Sequence, residues 1–581
     1  MTRPQPHVTH AVTNQVPPRE DVDEYADFPV LRDGVRVFGG AWGDAALHEV
    51  GQLVGSADFQ ADAERAERRT PELRTFDRWG RRVDEVDYDP AYHRVLGAAV
   101  SRGAHTSAWA EPRAGANVVR AAVFSLFAQV EPGHACPVSM SHAAVPSLAH
   151  APTLAEVWVP RLLSREYEGR LAPFGDGPGS KRGALVGMAM TEKQGGSDVR
   201  AGTTLARPAA GDGTPGDGTA GEPGAPYLLT GHKWFCSAPM SDAFLVLARA
   251  TRRGPSGGER PDDDVSCFLV PRVLDDGTRN VFRVQRLKDK LGNRSNASSE
   301  IELDGTVGYL VGEPGRGVRS IIEMVARTRE DCVHGSAAGM RQAVAEALWH
   351  ARHRTAFGAR LVDQPAMTAV LADLALESEA ATLTSLRLAA AFDDGVAAGD
   401  PAEARAFSRL ATPVAKYWVC KRGPAHAFEA MECLGGNGYT EAFPLARRYR
   451  EQPVMAIWEG SGNVIALDVL RALARDPESF EAFDAEVSRA AGVSAVLDRH
   501  VVGTRRLVQE ASRDLVAAPA QARRLVEALA LGLQGSLMVR FGSEASGDAF
   551  VAARLGEDRG LGFGVLPSGT DLPAVLGRHA G

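Results

Sequence analysis

Glu459 lies in the run Ile457-Trp458-Glu459-Gly460-Ser461-Gly462-Asn463, a carboxylate between an indole and a glycine-rich turn. A carboxylate kept from water takes protons, whereas one just ahead of a helix amino terminus is held by the helix dipole. Spacing alone leaves both readings open. The segment that ends in this run begins at Met431, and it and three others carry groups that suit a bound ligand. Met188-Ala189-Met190-Thr191-Glu192-Lys193-Gln194-Gly195-Gly196-Ser197-Asp198 sets a threonine and a serine about a glycine pair. Its amides and hydroxyls can hold the polar edge of a flat ring or merely cap a turn. Gly231-His232-Lys233-Trp234-Phe235-Cys236-Ser237 ends an aromatic pair in a hydroxyl, which fits a planar cofactor or a core. Arg352 to Gly358, then Gln364-Pro365, and Met431 to Tyr439 with its Gly435-Gly436-Asn437-Gly438 run supply basic groups and glycine amides. A pyrophosphate with adenosine needs such groups, and a solvated helix accounts equally for Arg354.

The elements that must position these residues fall into three textures. From about Ala45 to Leu185 the apolar residues recur at helical spacing, as in Ala116 to Phe127 and Leu154 to Leu163. From Gly187 short β-rich runs alternate with Gly, Pro and Asp: Tyr227 to Thr230, Phe244 to Leu247, Ser266 to Val270 and Ser299 to Leu303. These read as strands of an antiparallel sheet or small barrel. After Gly317 helices return, over Ile321 to Phe357, Met367 to Phe392, Pro401 to Leu434 and Val464 to Leu473, followed by an alanine-rich helical tail to Leu555. The fold class expected is α+β, mainly α. An N-terminal segment and helical domain covers 1–185 and an antiparallel β domain 186–312, with a disordered loop at 208–226. A helical bundle covers 313–475 and an extra helical C-terminal domain 476–581.

Composition sets bounds. Hydrophobic residues are 44% and charged residues 24% of 581, ordinary for a globular protein. The amino terminus lacks an apolar core, and no run is long enough to span a membrane. The six cysteines have no ligand spacing, so free thiols in a cytoplasmic protein are expected. A net charge of −8 argues against a surface built throughout for nucleic acid. No Walker loop, HExxH or GxSxG is present. Gly560-Leu561-Gly562-Phe563-Gly564 has no strand before it and reads as a tail.

Together and in order, the four segments resemble the acyl-CoA dehydrogenase superfamily from the amino terminus to about Arg475. MTEKQGGSDV, GHKWFCS, RLKDKLGNRSNAS, KRG and REQPVMAIWEGSGN resemble its AidB branch, the DNA alkylation response proteins. The resemblance implies FAD between the β domain and a C-terminal four-helix bundle. It implies that Met190, Thr191, Gly196 and Ser197 hold the flavin side, with Phe235 and Ser237 from the next strand. Arg354, Phe357 and Gln364 then reach the cofactor of a neighbouring subunit in a homotetramer. Glu432, Gly435 and Gly436 cradle its pyrophosphate and adenosine, and Asn463 closes the site.

Glu459 matches the family's base. Excluding water raises a glutamate's pKa toward the working range, and hydrogen bonds to the thioester carbonyl stabilise the enolate. The resemblance implies that the α-proton goes to Glu459 and a hydride from the β-carbon to flavin N5. Arg329 aligns with a CoA-binding residue. The chain departs from the common pattern at Lys193-Gln194, where proline is usual, and at Phe235, which takes the register of a tryptophan. Ser237 stands in place of threonine.

Two functions follow. One is oxidation of a short or branched acyl-CoA, with an electron-transfer flavoprotein as partner. The other is a flavin-containing, DNA-associated protein of the alkylation response, with vestigial dehydrogenation. From Asp476 onward there are eleven Arg, no Lys and fourteen Asp plus Glu, a net −3. Any DNA contact there is expected to be weak and non-specific, through Arg471, Arg505, Arg506, Arg523 and Arg524.

Overall fold

The computed structural model describes residues 9–177, 179–209, 221–253, 259–397 and 401–579. It divides into two compact units. One comprises Asp58–Gly335 and Ile457–Val464; the other comprises Met1–Ala57, Ser336–Ala456 and Ile465–Gly581.

The first unit packs helices Pro90–Ser101, Ala116–Ala128, Ala135–Leu148 and Pro152–Leu162 with an eight-stranded sheet. Strands Ala243–Arg253, Leu205–Pro208, Pro226–Ser237, Ser298–Val311 and Ser266–Pro271 pair in that order, and the last pairs back onto the first, closing a small barrel. Alternation decides which side chain goes where. Phe244, Val246, Phe268 and Val270 fill the barrel with Tyr227, Leu229 and Ile301. Their neighbours Leu245, Leu247, Cys267 and Leu269 face outward onto Met140, Ala143, Ala144 and Leu148 of the helical layer. That is why Ser266–Pro271 is buried along its whole length.

Three expectations need correction here. The sheet is not wholly antiparallel, because Val186–Ala189 and Leu205–Pro208 both run parallel to Ala243–Arg253. Parallel pairing needs a long crossover, which local turn signals cannot reveal. The stretch 45–185 is not all helical. Glu72–Phe76 and Arg82–Asp87 form a hairpin. Its turn forms because the Asp77 carboxylate accepts from the amides of Trp79 (2.9 Å) and Arg81 (3.0 Å), with Gly80 at φ +80°. Of the loop expected at 208–226, Pro208 ends one strand and Pro226 begins the next. Residues 210–220 lie outside the described residues.

The second unit is helical. Helix Pro365–Ala397 is buried over most of its length and contacts Pro401–Glu432, Ala518–Phe541 and Leu572–Gly577. Three of its buried carboxylates are answered by guanidinium groups: Arg554 meets Asp373 (2.5 Å) and Glu377 (3.1 Å), Arg422 meets Glu377 (3.0 Å), and Arg578 meets Glu379 (2.9 Å). Removing one partner of such a pair strands the other charge. Elsewhere Gln452 fills a gap so tight that a Cβ on Gly339 or Gly423 would lie 2.0 or 2.2 Å from its amide. Helix Gly317–His353 stops short of the expected Phe357. Phe357 (φ +52°) and Gly358 (φ +81°) instead turn the hairpin Thr355–Ala356/Ala359–Arg360.

Candidate active site

The segment 190–197 leaves strand Val186–Ala189 and folds back on itself. The amides and carbonyls of Glu192 and Gly195 bond to each other, and Gly195 takes φ +144°. A Cβ on Gly196 would lie 2.5 Å from Thr191 Oγ1, so only glycine lets the loop close. Trp234 N donates to Thr191 O at 2.8 Å, which ties the loop to strand Pro226–Ser237. Gly196 and Ser197 are exposed, Met190, Thr191 and Ser237 are half-buried, and Phe235 is 49% exposed.

Beneath this loop lies a pair that the sequence reading did not single out. Glu192, buried, accepts from Lys233 Nζ (2.8 Å), the amides of Thr203 (2.7 Å) and Thr204 (3.1 Å), and both threonine hydroxyls. Burial works to raise the Glu192 carboxyl, but Lys233 and these donors outweigh it and hold it well below the usual range. A signal was present. Tyr227, Leu229 and Lys233 fall on one face of their strand, and a lysine pointing inward demands a carboxylate.

Glu459 follows helix Pro444–Met455 in the left-handed region, at φ +58°, and is half-buried. Few non-glycine residues adopt that conformation, and strain of this kind concentrates at functional sites. Its carbonyl oxygen accepts from Arg329 Nε at 3.0 Å. The adjacent Trp458 packs on the apolar cluster of Cys136, Met140, Ile321 and Met324, against which Met190 also lies. Burial pushes the Cys136 thiol up to about 11; the Glu459 charge acts in the same direction, while Lys290, Ser237 and Asn296 oppose it. Met190, Thr191, Gly196, Ser197, Phe235, Ser237, Arg329, Glu459 and Asn463 all belong to this unit.

Arg354, Phe357, Gln364, Glu432, Gly435 and Gly436 belong to the other unit. Asn14 braces their hairpin: its amide bonds both sides of Thr355, and its carbonyl accepts from Arg354. Gln364 Nε2 donates to Ala356 O at 2.9 Å. Phe357 at the tip is 100% exposed, and Tyr439 is 83% exposed. Gly435 (φ +59°) and Gly436 face open space, while a Cβ on Gly438 would meet Met431 O at 2.0 Å.

The tail arginines differ among themselves. Arg505 is bound to Asp484 (2.8 and 2.9 Å) and Ser488 (2.7 Å), and Arg471 pairs with Asp468 (3.2 Å). Arg506, Arg523 and Arg524 are exposed. Lys421, on helix Pro401–Glu432, is lowered by burial and then by the charges of Arg523 and Lys416. These lysines lie outside the tail, so a count along the tail alone overlooked them.

Comparison with known proteins gives three family matches: "Adaptive response protein AidB N-terminal domain" over residues 14–169, the acyl-CoA dehydrogenase middle domain over 187–306, and the acyl-CoA dehydrogenase C-terminal domain over 315–474. The putative acyl-CoA dehydrogenase AidB of Escherichia coli (strain K12) is 42% identical over 551 residues, 94% of each chain. Caenorhabditis elegans ACDH-11 in complex with C11-CoA superposes with a TM-score of 0.84 at 25% identity, covering 96% of this chain and 95% of that one. An acyl-CoA dehydrogenase complexed with FAD from Bacillus anthracis shares the fold, with a TM-score of 0.61 at 16% identity over 80% of this chain and 79% of that one.

Proposed function

This chain belongs to the acyl-CoA dehydrogenase family, in its AidB branch, and as an FAD-dependent oxidoreductase of that family we propose that it uses Glu459 to take the α-proton of an acyl-CoA thioester. The observation that carries this reading is the hold on Glu459: a left-handed turn, a carbonyl bonded to Arg329 and a neighbouring indole set in the core. A base whose backbone is fixed this way meets its proton without a search over backbone states. One carboxylate oxygen of Glu459 is shut off from water, and Trp458 before it packs on the apolar cluster that Met190 also meets.

FAD, when bound, supplies the acceptor for the hydride that leaves the β-carbon. The residues present suit it. The 190–197 loop is closed by a glycine that a Cβ would block, and it offers hydroxyls and amides to a ring edge. In the other unit the Cβ positions of Gly435 and Gly436 face open space, which leaves room for a pyrophosphate, with Glu432 exposed next to them. The full exposure of Phe357 suits a residue that completes a neighbouring subunit's site, so a homotetramer is part of the proposal. We assign the chain to the cytoplasm; among the described residues no helix is long and apolar enough to cross a membrane.

Short and branched acyl-CoA thioesters are the proposed substrates, with an electron-transfer flavoprotein as acceptor and Arg329 also touching CoA. Anaerobic titration of the purified flavoprotein with a panel of acyl-CoA chain lengths tests this. Bleaching of the flavin by at least one thioester is expected, and none across the panel overturns the dehydrogenase reading. A second reading, DNA association, draws on Arg523 and Lys421, whose charges act on each other across two helices. It is proposed as weak phosphate binding.

A further inference from the structure

Beside Ser237 runs a hydrogen-bond chain that starts from an ammonium. Lys290 Nζ donates to Asn296 O (2.5 Å) and Ser298 Oγ (3.1 Å), with Asn293 Oδ1 at 3.5 Å. Ser298 stands opposite Ser237 in the strand register, and their hydroxyl oxygens are 3.1 Å apart. Two features fix Lys290 in this place. Asn293 turns the loop at φ +55° and accepts from Asn296 Nδ2 at 3.0 Å. The amide of Lys288 bonds Ser298 O at 2.8 Å.

An ammonium has three protons and no acceptor. The bond from Lys290 therefore runs one way, into Ser298 Oγ. An oxygen that accepts from a charged donor becomes a better donor itself, so the Ser298 proton goes to Ser237 Oγ. Ser237 then accepts along the sheet and directs its own proton away from Ser298, toward the side where the Cys136 sulfur also lies in hydrogen-bond reach. The chain as a whole points from charge to site. The Cys136 thiol feels both the Lys290 and the Glu459 charges, which puts this ammonium in electrostatic reach of the proposed base.

We propose that Lys290 is a positioning residue for the flavin. Through Ser298 it sets the Ser237 hydroxyl as a donor toward the bound ring, and its charge favours the electron-rich reduced state. This rests on the reading of Ser237 as a flavin contact. A fixed donor and a nearby positive charge stabilise added negative charge in a site shielded from water. Lys290 thus raises the reduction potential of bound FAD.

The test uses the full-length holoprotein and two readouts independent of turnover: the reduction potential and the affinity of bound flavin for sulfite, which adds to electron-poor flavins. Lys290→Met is expected to weaken sulfite binding at least tenfold and to lower the potential by about 30 mV for each tenfold in the two-electron equilibrium. Lys290→Arg, which keeps the charge, should stay within about twofold of wild type. Equal potential and sulfite affinity in Lys290→Met and wild type overturn the proposal. If Lys290→Met fails to fold, Ser298→Ala carries the test, since it cuts the chain and leaves the charge. Sulfite affinity unchanged in Ser298→Ala overturns the relay. Wild-type protein purified without any FAD would instead overturn the flavin reading itself.

Discussion

Arg329 donates from Nε to the carbonyl oxygen of Glu459 across 3.0 Å, joining the long helix Gly317–His353 to the turn that holds the proposed base. The alignment of Arg329 with a CoA-binding residue says nothing of this bond. A guanidinium has five donors, so one can hold the main chain while others face a ligand.

Arg329→Met should therefore lower kcat by about tenfold to a hundredfold, the usual worth of a charge-assisted hydrogen bond. FAD content should not change. Steady-state kinetics with the best acyl-CoA separates the two roles. A rise in KM with kcat intact would leave only the CoA contact.

Glu459→Gln keeps size and turn but has no free carboxylate to take a proton. Bound FAD should be retained and reduction of the flavin by substrate should slow by about a hundredfold to ten-thousandfold. Stopped-flow absorbance at the flavin band measures this, and a wild-type rate in the variant removes Glu459 from the mechanism.

Glu192→Gln leaves the Lys233 ammonium buried without its carboxylate, a loss of about 3–5 kcal/mol in unfolding free energy. The pH dependence has a definite sign. The native Glu192 carboxyl titrates below its ordinary 4.5, so its contribution is complete above that pH and is lost as acid drives it toward the native value. Urea unfolding of wild type and variant should differ most near neutrality and converge below pH 4.5. A constant gap across that range would contradict the pairing.

The glycine run at 435–438 separates fold from ligand. Gly438→Ala sets a methyl 2.0 Å from Met431 O and should destabilise the protein by more than about 1 kcal/mol. Gly436→Ala meets nothing within 4 Å, so thermal unfolding of the apoprotein should not move. If its amide faces a pyrophosphate, FAD affinity should fall about tenfold, worth 1.4 kcal/mol. Equal FAD affinity would remove Gly436 from the site.

DNA binding, where it is measured, should be independent of sequence and fall steeply with salt, because each neutralised phosphate releases about 0.9 of a counterion. Arg523→Ala with Lys421→Ala should flatten the salt slope, while Arg505→Ala should not, since Asp484 already holds Arg505. Fluorescence anisotropy on two unrelated duplexes at several ionic strengths reads this out. Tight binding to one sequence would exclude a phosphate-only surface.

Much of the helix, strand and helix order was legible because periodicity survives in long elements. The hairpin at 72–87 was not, since its apolar residues Leu73, Phe76, Val83 and Val86 fall three apart among charged neighbours and so do not alternate. Parallel pairing of Val186–Ala189 was equally hidden, being a contact between distant segments. Of the site, Glu459 could be noted as a carboxylate but not as a residue at positive φ, because glycine alone announces that conformation in a sequence. Lys233 was legible in principle from its in-phase position in a strand. Its partner Glu192 was not, because the two meet only after the loop folds back.

Gln452 lies against Gly339 and Gly423, and its Nε2 donates to Ser336 O at 3.4 Å. Either glycine enlarged to alanine displaces the same amide, so the second substitution meets a gap already vacated. Their effects on stability are thus subadditive rather than independent. A descendant of this chain can exchange Gln452 for a shorter side chain first and then accept alanine at both sites. In the reverse order the first alanine must push the Gln452 amide aside before the gap exists. The three positions therefore constrain one another's substitutions, with a preferred order of change.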